Sequence, residues 1–510
     1  MDWKFTVELI VVLGVIALGA RKGGIALGLW GGVGVLILTV IFREKPSAPP
    51  IDVMLIILAV ISAAAAMEAA GGIAWLVSVA ERVIRRFPQH ITIVAPLVAY
   101  LFTFGAGTGH IFYPLLPVIH DVAHDNGIRP ERPIAVATIA SQQAITASPV
   151  SAATAAIIVI LEPEGMTLLK IMAIAVPATL AGVVIAALLS YRRGAELADD
   201  PVFQQRVRDG LVPPIPVRGA VRTGRSGDVG TTGEGAVEVT VGSSNTAATK
   251  GGSAGATTST TSSPGAVTPA ATTATALLPA KGTTEAGPNE NERPGTGRLS
   301  ALIFLVGVGS IVVLGAFEGL RPAFPNDKGV AAPLSMALTI QITMLAIAAI
   351  IMLVCRVDIE AVPRAATARS GFVALVGIFG LAWLGQTLID ANEKTVVGGL
   401  TNMVTAAPWT FAIGLFAASV LLFSQAATTR ALLPLGLALG IGGPQLVAMW
   451  PAVNGYFFLP TYGTLIAAIS FDRSGTTRIG RFVLNHSFMI PGLVATTGSV
   501  AVGLLIARFF

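Results

Sequence analysis

Apolar runs of about twenty residues recur along most of this chain, and a run of that length is what an α-helix needs to cross the hydrocarbon core of a bilayer. Lipid offers the backbone no hydrogen-bond partner, so a chain built from such runs folds as a helical membrane protein. Composition agrees. Of 510 residues 53% are hydrophobic and 12% charged, against about 25% charged in soluble domains. The lone Cys355 excludes an internal disulfide and supplies no metal cluster. A formal charge of +5 reads as an orientation signal in loops, not as a nucleic-acid surface.

Taken in order, runs at 5–20, 23–42 and 51–70 predict three spans. The first is a retained helix, because no small-residue cleavage site follows it. Residues 73–89 place Glu81, Arg82, Arg85 and Arg86 beside Trp75, Leu76, Val79 and Val83, the pattern of an amphipathic interfacial helix. From 91 to 124 the apolar run breaks at Gly105–His110 and carries arginine on both flanks, which predicts a re-entrant hairpin. Residues 133–161 cross with a polar interior, and 166–191 return to the cytoplasmic Tyr191-Arg192-Arg193. Residues 194–297 are rich in Gly, Ser, Thr, Ala and Pro, and predict a disordered cytoplasmic linker.

The second half repeats this plan. Spans are expected at 298–318, 330–354 and 371–390, a polar stretch holds Thr395, Asn402 and Thr405, and a hairpin over 409–449 is split by Ser424–Arg430. A crossing over 452–471, broken at Pro460–Thr464, and a last span over 484–507 complete it. The arginines place both termini outside and the linker inside. The expected fold is therefore all-α and polytopic, with two inverted repeats, re-entrant helical hairpins and discontinuous transmembrane helices, the recurrent design of secondary transporters. The first repeat is 1–193, with its scaffold at 1–70 and its transport part at 91–191; the second is 298–510, with 298–390 and 407–508 in the same roles.

Each break starts a half-helix near the membrane midplane. Ser148-Pro149 reads as an N-cap followed by proline at the first helical position; Thr108-Gly109, Thr428-Thr429 and Thr461–Thr464 offer comparable starts. A helix start carries unpaired N–H groups and roughly half a positive charge, so four give about +2. Arg430 adds a full charge at an insertion cost of about 2.5–3.5 kcal/mol. The sum suits a small dicarboxylate, held among Gly107, Thr108, Gly109, His110, Gln142, Gln143, Thr146, Ser148, Pro149, Ser424, Gln425, Thr428, Thr429, Arg430, Asn454, Thr461, Tyr462 and Thr464. Against this stand plainer readings: Arg430 snorkelling from a surface loop, and Gln142, Gln143, Ser424, Gln425 and Asn454 bonding helix to helix. Tyr456 and Tyr462 fit either a cavity lining or an aromatic belt.

Several ordered motifs resemble the anaerobic C4-dicarboxylate transporters, the Dcu family. They are Val7-Glu8-Leu9 with Gly19-Ala20-Arg21, Ala106–Gly109, Ala144–Pro149, Ser424–Thr429, Phe458–Tyr462 and Thr477–Gly480. The resemblance implies exchange, uptake or efflux of fumarate, succinate, malate and aspartate across a bacterial inner membrane. It further implies a homodimer with a static scaffold and an elevator-type mobile part, in contact with membrane lipids. His110 stands where the family has asparagine, Arg473 where a second acid is usual, and the linker is longer than typical. No cofactor, metal, nucleic acid or catalytic residue is expected, and the chain is not expected to be an enzyme. The alternatives are a sodium- or proton-coupled carrier of another small anion or amino acid, and an anion channel.

Overall fold

The computed structural model describes residues 3–22, 25–216, 295–325, 331–392, 407–422, 424–459, 462–480 and 484–510. The described residues are mostly helical. It opens with α1 (Trp3–Lys22), α2 (Ala26–Val40) and α3 (Ile51–Ala69). Gly71, with φ 79°, then turns it into α4 (Gly72–Arg86). Ala80 and Ile84 are buried on one face of α4, and Arg85 reaches Glu81 at 2.7 Å on another. After α5 (Ile91–Ala106) and α6 (Leu115–Asp125) come α7 (Glu131–Gln143), α8 (Ala152–Leu161) and α9 (Leu168–Ser190).

The linker expected from 194 begins with folded residues. A short helix α10 (Pro201–Arg208) buries Phe203, which joins Leu197 and Val212 in a small apolar cluster. Two arginines at the start of α7 hold this stretch. Arg129 pairs with Asp200 and Glu131, and Arg132 with Glu196 at 2.6 Å. Pairings over such sequence distances follow from tertiary structure, which composition does not report. The disorder expected further along, for 217–294, lies outside the described residues.

In the second half α11 (Thr296–Ala316) and α12 (Met336–Cys355) are joined through a two-stranded antiparallel ribbon, β1 (Ala323–Pro325) and β2 (Ala331–Pro333). Arg321 anchors the ribbon, donating to the Leu334 carbonyl at 2.9 Å and pairing with Glu318 and Glu162. After α13 (Ala361–Arg364) comes α14 (Ala366–Ala391). Glu68 from α3 caps the start of α14, accepting from the backbone N–H groups of Ala366 and Thr367 at 3.0 and 2.8 Å, where a carboxylate also meets the positive end of the helix. The polar stretch at 395–405 lies outside the described residues. Then follow α15 (Thr410–Leu422), α16 (Gln425–Ala438), α17 (Gly443–Met449) with a 3-10 continuation Trp450–Phe457, α18 (Gly463–Phe471) and α19 (Met489–Ile506).

Among the described residues, seven helices are long and apolar enough to cross a membrane: Ile51–Ala69, Pro88–Ala106, Leu168–Ser190, Thr296–Ala316, Met336–Cys355, Ala366–Leu388 and Met489–Phe509. The first hairpin arm is among them, so length and composition do not set it apart from a crossing helix. The largest buried cluster runs through α3, α8, α9, α11, α12, α16 and α17. A second joins α4–α7 to Tyr456, Phe457, Leu465 and Phe488. Long helices approach closely where side chains are small. At α9 and α19, a Cβ on Gly182 would strike the Ser499 hydroxyl.

Candidate functional site

Close contacts join the first hairpin tip, the break between α7 and α8 and the start of α16. α5 ends at Gly107, whose φ of 72° is the left-handed turn that closes a helix, its N–H bonding back to the Thr103 carbonyl at 2.8 Å. A Cβ at Gly107 would stand 2.7 Å from the Val150 carbonyl, so the first hairpin tip rests on the break between α7 and α8. A Cβ at Gly109 would overlap the Gln142 carboxamide. At Gly107, with its positive φ and the Val150 backbone so close, only glycine fits without strain; at Gly109 the obstacle is the end of a flexible side chain.

The break between α7 and α8 differs from expectation at its cap. Helix α8 starts three residues beyond Ser148, at Ser151, whose hydroxyl accepts from the Thr154 N–H at 3.0 Å. Ser148-Pro149 instead opens a turn, closed by the Ser151 N–H bonding to the Ser148 carbonyl at 3.4 Å. Proline is as well suited to the second position of a turn as to the start of a helix, because both fix φ near its ring value. The Ser148 hydroxyl accepts from the Val150 N–H at 3.4 Å.

The heptad splitting the second hairpin is a helix start, not a loop. Ser424, in extended conformation, caps α16 by accepting from the Ala427 N–H at 3.2 Å. Within α16 the Thr428 hydroxyl donates to the Ser424 carbonyl and the Thr429 hydroxyl to the Gln425 carbonyl, at 2.8 and 2.7 Å. Thr429 also accepts from Trp450 Nε1 at 2.8 Å. In a buried helix the carbonyl four residues back is the nearest acceptor, and it holds both of these hydroxyl protons.

A buried carboxamide network ties the breaks together. Gln425 Nε2 donates to Gln142 Oε1 and to Asn454 Oδ1, both at 3.2 Å. Asn454 Nδ2 faces Gln143 Oε1, Thr146 Oγ1 and the Pro451 carbonyl at 3.1–3.2 Å, two protons shared among three acceptors. Gln143 Nε2 in turn donates to Thr496 on α19 at 2.9 Å. Gln142, Gln143, Thr146 and Asn454 are all buried. Helix-to-helix bonding, the plainer reading, thus describes much of what these amides do. Thr496 and Trp450 belong to the network without any local sequence signal; a polar residue in a long apolar run was the only trace.

Arg430 supplies the charge. It is half-buried on α16, and among the described residues it has neither a hydrogen bond nor an ion pair; the carboxylate near enough to act on it is Asp52, at the start of α3. Tyr462 and Thr464 gather elsewhere, at the start of α18 with Tyr456 and Tyr113. Thr108 lies half-buried beside the first tip. Thr461 and the His110 side chain lie outside the described residues.

The family model described as "Anaerobic c4-dicarboxylate membrane transporter" matches residues 4–241 and 270–510. The chain belongs to that family. The C4-dicarboxylate transporter DcuA of Wolinella succinogenes is 38% identical over 506 residues, 98% of each chain. The anaerobic C4-dicarboxylate transporter DcuB of Escherichia coli O157:H7 is 36% identical over 511 residues, and DcuA of E. coli K12 is 35% identical over 505, each covering 99% of both chains. In this member of the anaerobic C4-dicarboxylate transporter family, Arg430 lies on α16, the helix whose Gln425 joins the amide network. A guanidinium with no ion pair among the described residues has donors that a carboxylate can accept from.

Proposed function

We propose that this protein moves C4-dicarboxylates across a bacterial inner membrane, by exchange of one for another. The observation that carries the reading is Arg430, a half-buried guanidinium without an ion pair among the described residues, placed six residues beyond the cap of a helix start. One carboxylate of succinate or fumarate sits at Arg430. The helix start at Ser424, the hairpin tip at Gly107–His110 and the turn at Ser148-Pro149 face the rest of the molecule, and Gln142, Gln143, Gln425 and Asn454 fix their spacing. Thr428 and Thr429 act through their helix rather than through their hydroxyl protons.

The same reading gives the chain inverted repeats and an elevator-type motion. The part built from the hairpins and broken elements travels against a scaffold of residues 1–70 and 298–390, in a homodimer with both termini outside and the linker in the cytoplasm. Support comes from the order of elements, which returns after the linker: three long helices, a hairpin, a broken element and a final long helix.

The test is counterflow in proteoliposomes. Labelled succinate uptake is expected to saturate, to accelerate when fumarate is loaded inside, and to collapse in Arg430→Ala. A flux linear in concentration and indifferent to internal fumarate would overturn the carrier reading.

A further inference from the structure

Among the described residues, two hydroxyls flanking the break before α18 are buried without a hydrogen-bond partner: Tyr456 Oη, on a residue 2% exposed, and Thr464 Oγ1, on a residue 1% exposed. Between them the 3-10 run ends at Phe457 and the helix restarts at Gly463. The Tyr462 ring lies 4.8 Å from that of Tyr456. From the first hairpin, the Tyr113 hydroxyl comes within 3.6 Å of where a Cβ on Gly463 would stand. Three of the chain's five tyrosines thus meet at one place. Asn454, a member of the amide network, is two residues from Tyr456.

A hydroxyl buried without an acceptor is unfavourable, and phenylalanine and valine would fill the same volumes without that cost. Two such groups, eight residues apart on either side of one break and with Asn454 of the amide network two residues before the first, describe donors whose acceptor arrives from outside. Both offer an O–H, and neither carries charge. They are suited to a carboxylate oxygen, and Asn454 links their break to Gln425 on the helix that carries Arg430.

Resting on the dicarboxylate reading above, we propose that Tyr456 and Thr464 form a second pole of the substrate site, donating to the carboxylate that Arg430 does not hold. Arg430 recognises an anion. The hydroxyl pole recognises that the anion has a second carboxylate at the far end of a four-carbon chain, and so separates dicarboxylates from monocarboxylates.

The test uses the full-length protein with Tyr456→Phe and Thr464→Val, each close in volume to the native residue. Half-saturation for succinate is expected to rise about tenfold or more in each, the usual size of a lost hydrogen bond to a charged group, with the maximal rate little changed. The preference for succinate over butyrate should shrink by the same factor. Thermal unfolding gives an independent readout. The succinate-induced rise in melting temperature should diminish, while the ligand-free melting temperature holds or increases. If both variants keep the wild-type half-saturation and selectivity while Arg430→Ala loses succinate, the hydroxyl pole is wrong and the dicarboxylate reading stands. If Arg430→Ala also transports normally, that reading falls as well. A variant that melts earlier without ligand yet keeps its full succinate shift would assign the hydroxyl to packing and overturn the proposal.

Discussion

The first hairpin turns on backbone and the second on side chains. At Gly107 and Gly109 there is no room for a Cβ: the Val150 carbonyl and the Gln142 carboxamide occupy the space. At the second tip Ser424 caps a helix, Gln425 reaches across to Gln142 and Asn454, and Arg430 follows on the same helix. A turn packed backbone to backbone sets position and carries no charge. A capped helix start can carry charge, because its first side chains project from an ordered frame. On the dicarboxylate reading proposed above, the two tips divide the work: one fixes where the ligand lies and the other attracts it.

Removing the charge is the strongest way to test that division. Arg430→Gln should raise the half-saturation for succinate about 10- to 100-fold, the range for a lost charge-assisted hydrogen bond. Arg430→Lys should recover only part of this, because an ammonium lacks the planar fork that meets a carboxylate with two bonds. Melting temperature should be unchanged or higher, since a half-buried cation without an ion pair does not stabilise the fold. A large drop in melting temperature with normal affinity would make Arg430 structural and erase the contrast between the tips.

Gly107→Ala probes the other tip and should act through position. Left-handed backbone costs an L-residue about 1 to 2 kcal/mol, and the Val150 carbonyl 2.7 Å away must also move. Transport should fall roughly tenfold, with a lower melting temperature, which Arg430→Gln does not share. Gly109→Ala should be milder, because the end of the Gln142 side chain can yield. Wild-type transport in Gly107→Ala would show that the first tip tolerates a side chain.

The breaks were legible because interruptions in long apolar runs are expensive in lipid and therefore stand out. Gly105–His110, Ser148-Pro149 and Ser424–Arg430 were all marked this way. What they do at atomic scale was less so. Ser148 and Ser151 are equally good caps by type, and only the path of the chain decides that Ser151 takes the role. The direction of the Thr428 proton depends on burial of the helix, and the Gln143–Thr496 bond joins residues far apart in sequence. The folded start of the linker was hidden for the same reason. Asp200 and Glu196 look like ordinary polar residues until Arg129 and Arg132 are beside them.

The first hairpin is also held at its far end, and acid should expose this. Beyond α18, burial alone would raise the Asp472 carboxyl, but the His120 ring nitrogen at 3.3 Å on α6 and hydrogen bonds from Ser474 and Thr477 hold it down at about 2. A carboxyl depressed below its ordinary 3.8 stabilises the fold above that value and loses the contribution as pH falls towards about 2. Asp472 should therefore contribute equally from pH 7 to 5. Asp472→Asn should lower the melting temperature by a few degrees there, with the difference from wild type closing below about pH 4. Among the described residues α16 has no ion pair, so no matching acid effect is expected at the second hairpin.

The smallest effect should come from Thr428→Val. Its hydroxyl is buried and gives its proton to the Ser424 carbonyl within the same turn of helix, at 2.8 Å. That carbonyl keeps its regular partner, the Thr428 N–H at 3.0 Å, when the hydroxyl is removed. Valine matches threonine in shape, and in a helix the side-chain bond to the carbonyl four residues back adds little to stability. Succinate half-saturation should change by less than about threefold, under 0.7 kcal/mol by the tenfold-per-1.4 kcal/mol rule. Ser424→Ala, which uncaps the helix, should cost about 1 kcal/mol of stability and more affinity than Thr428→Val, because it disorders the start that carries Gln425 and Arg430. A tenfold loss in Thr428→Val with unchanged melting temperature would mean that the hydroxyl turns from its helix to the ligand. The second tip would then bind through hydroxyl and guanidinium together, and the charge would no longer be its sole contribution.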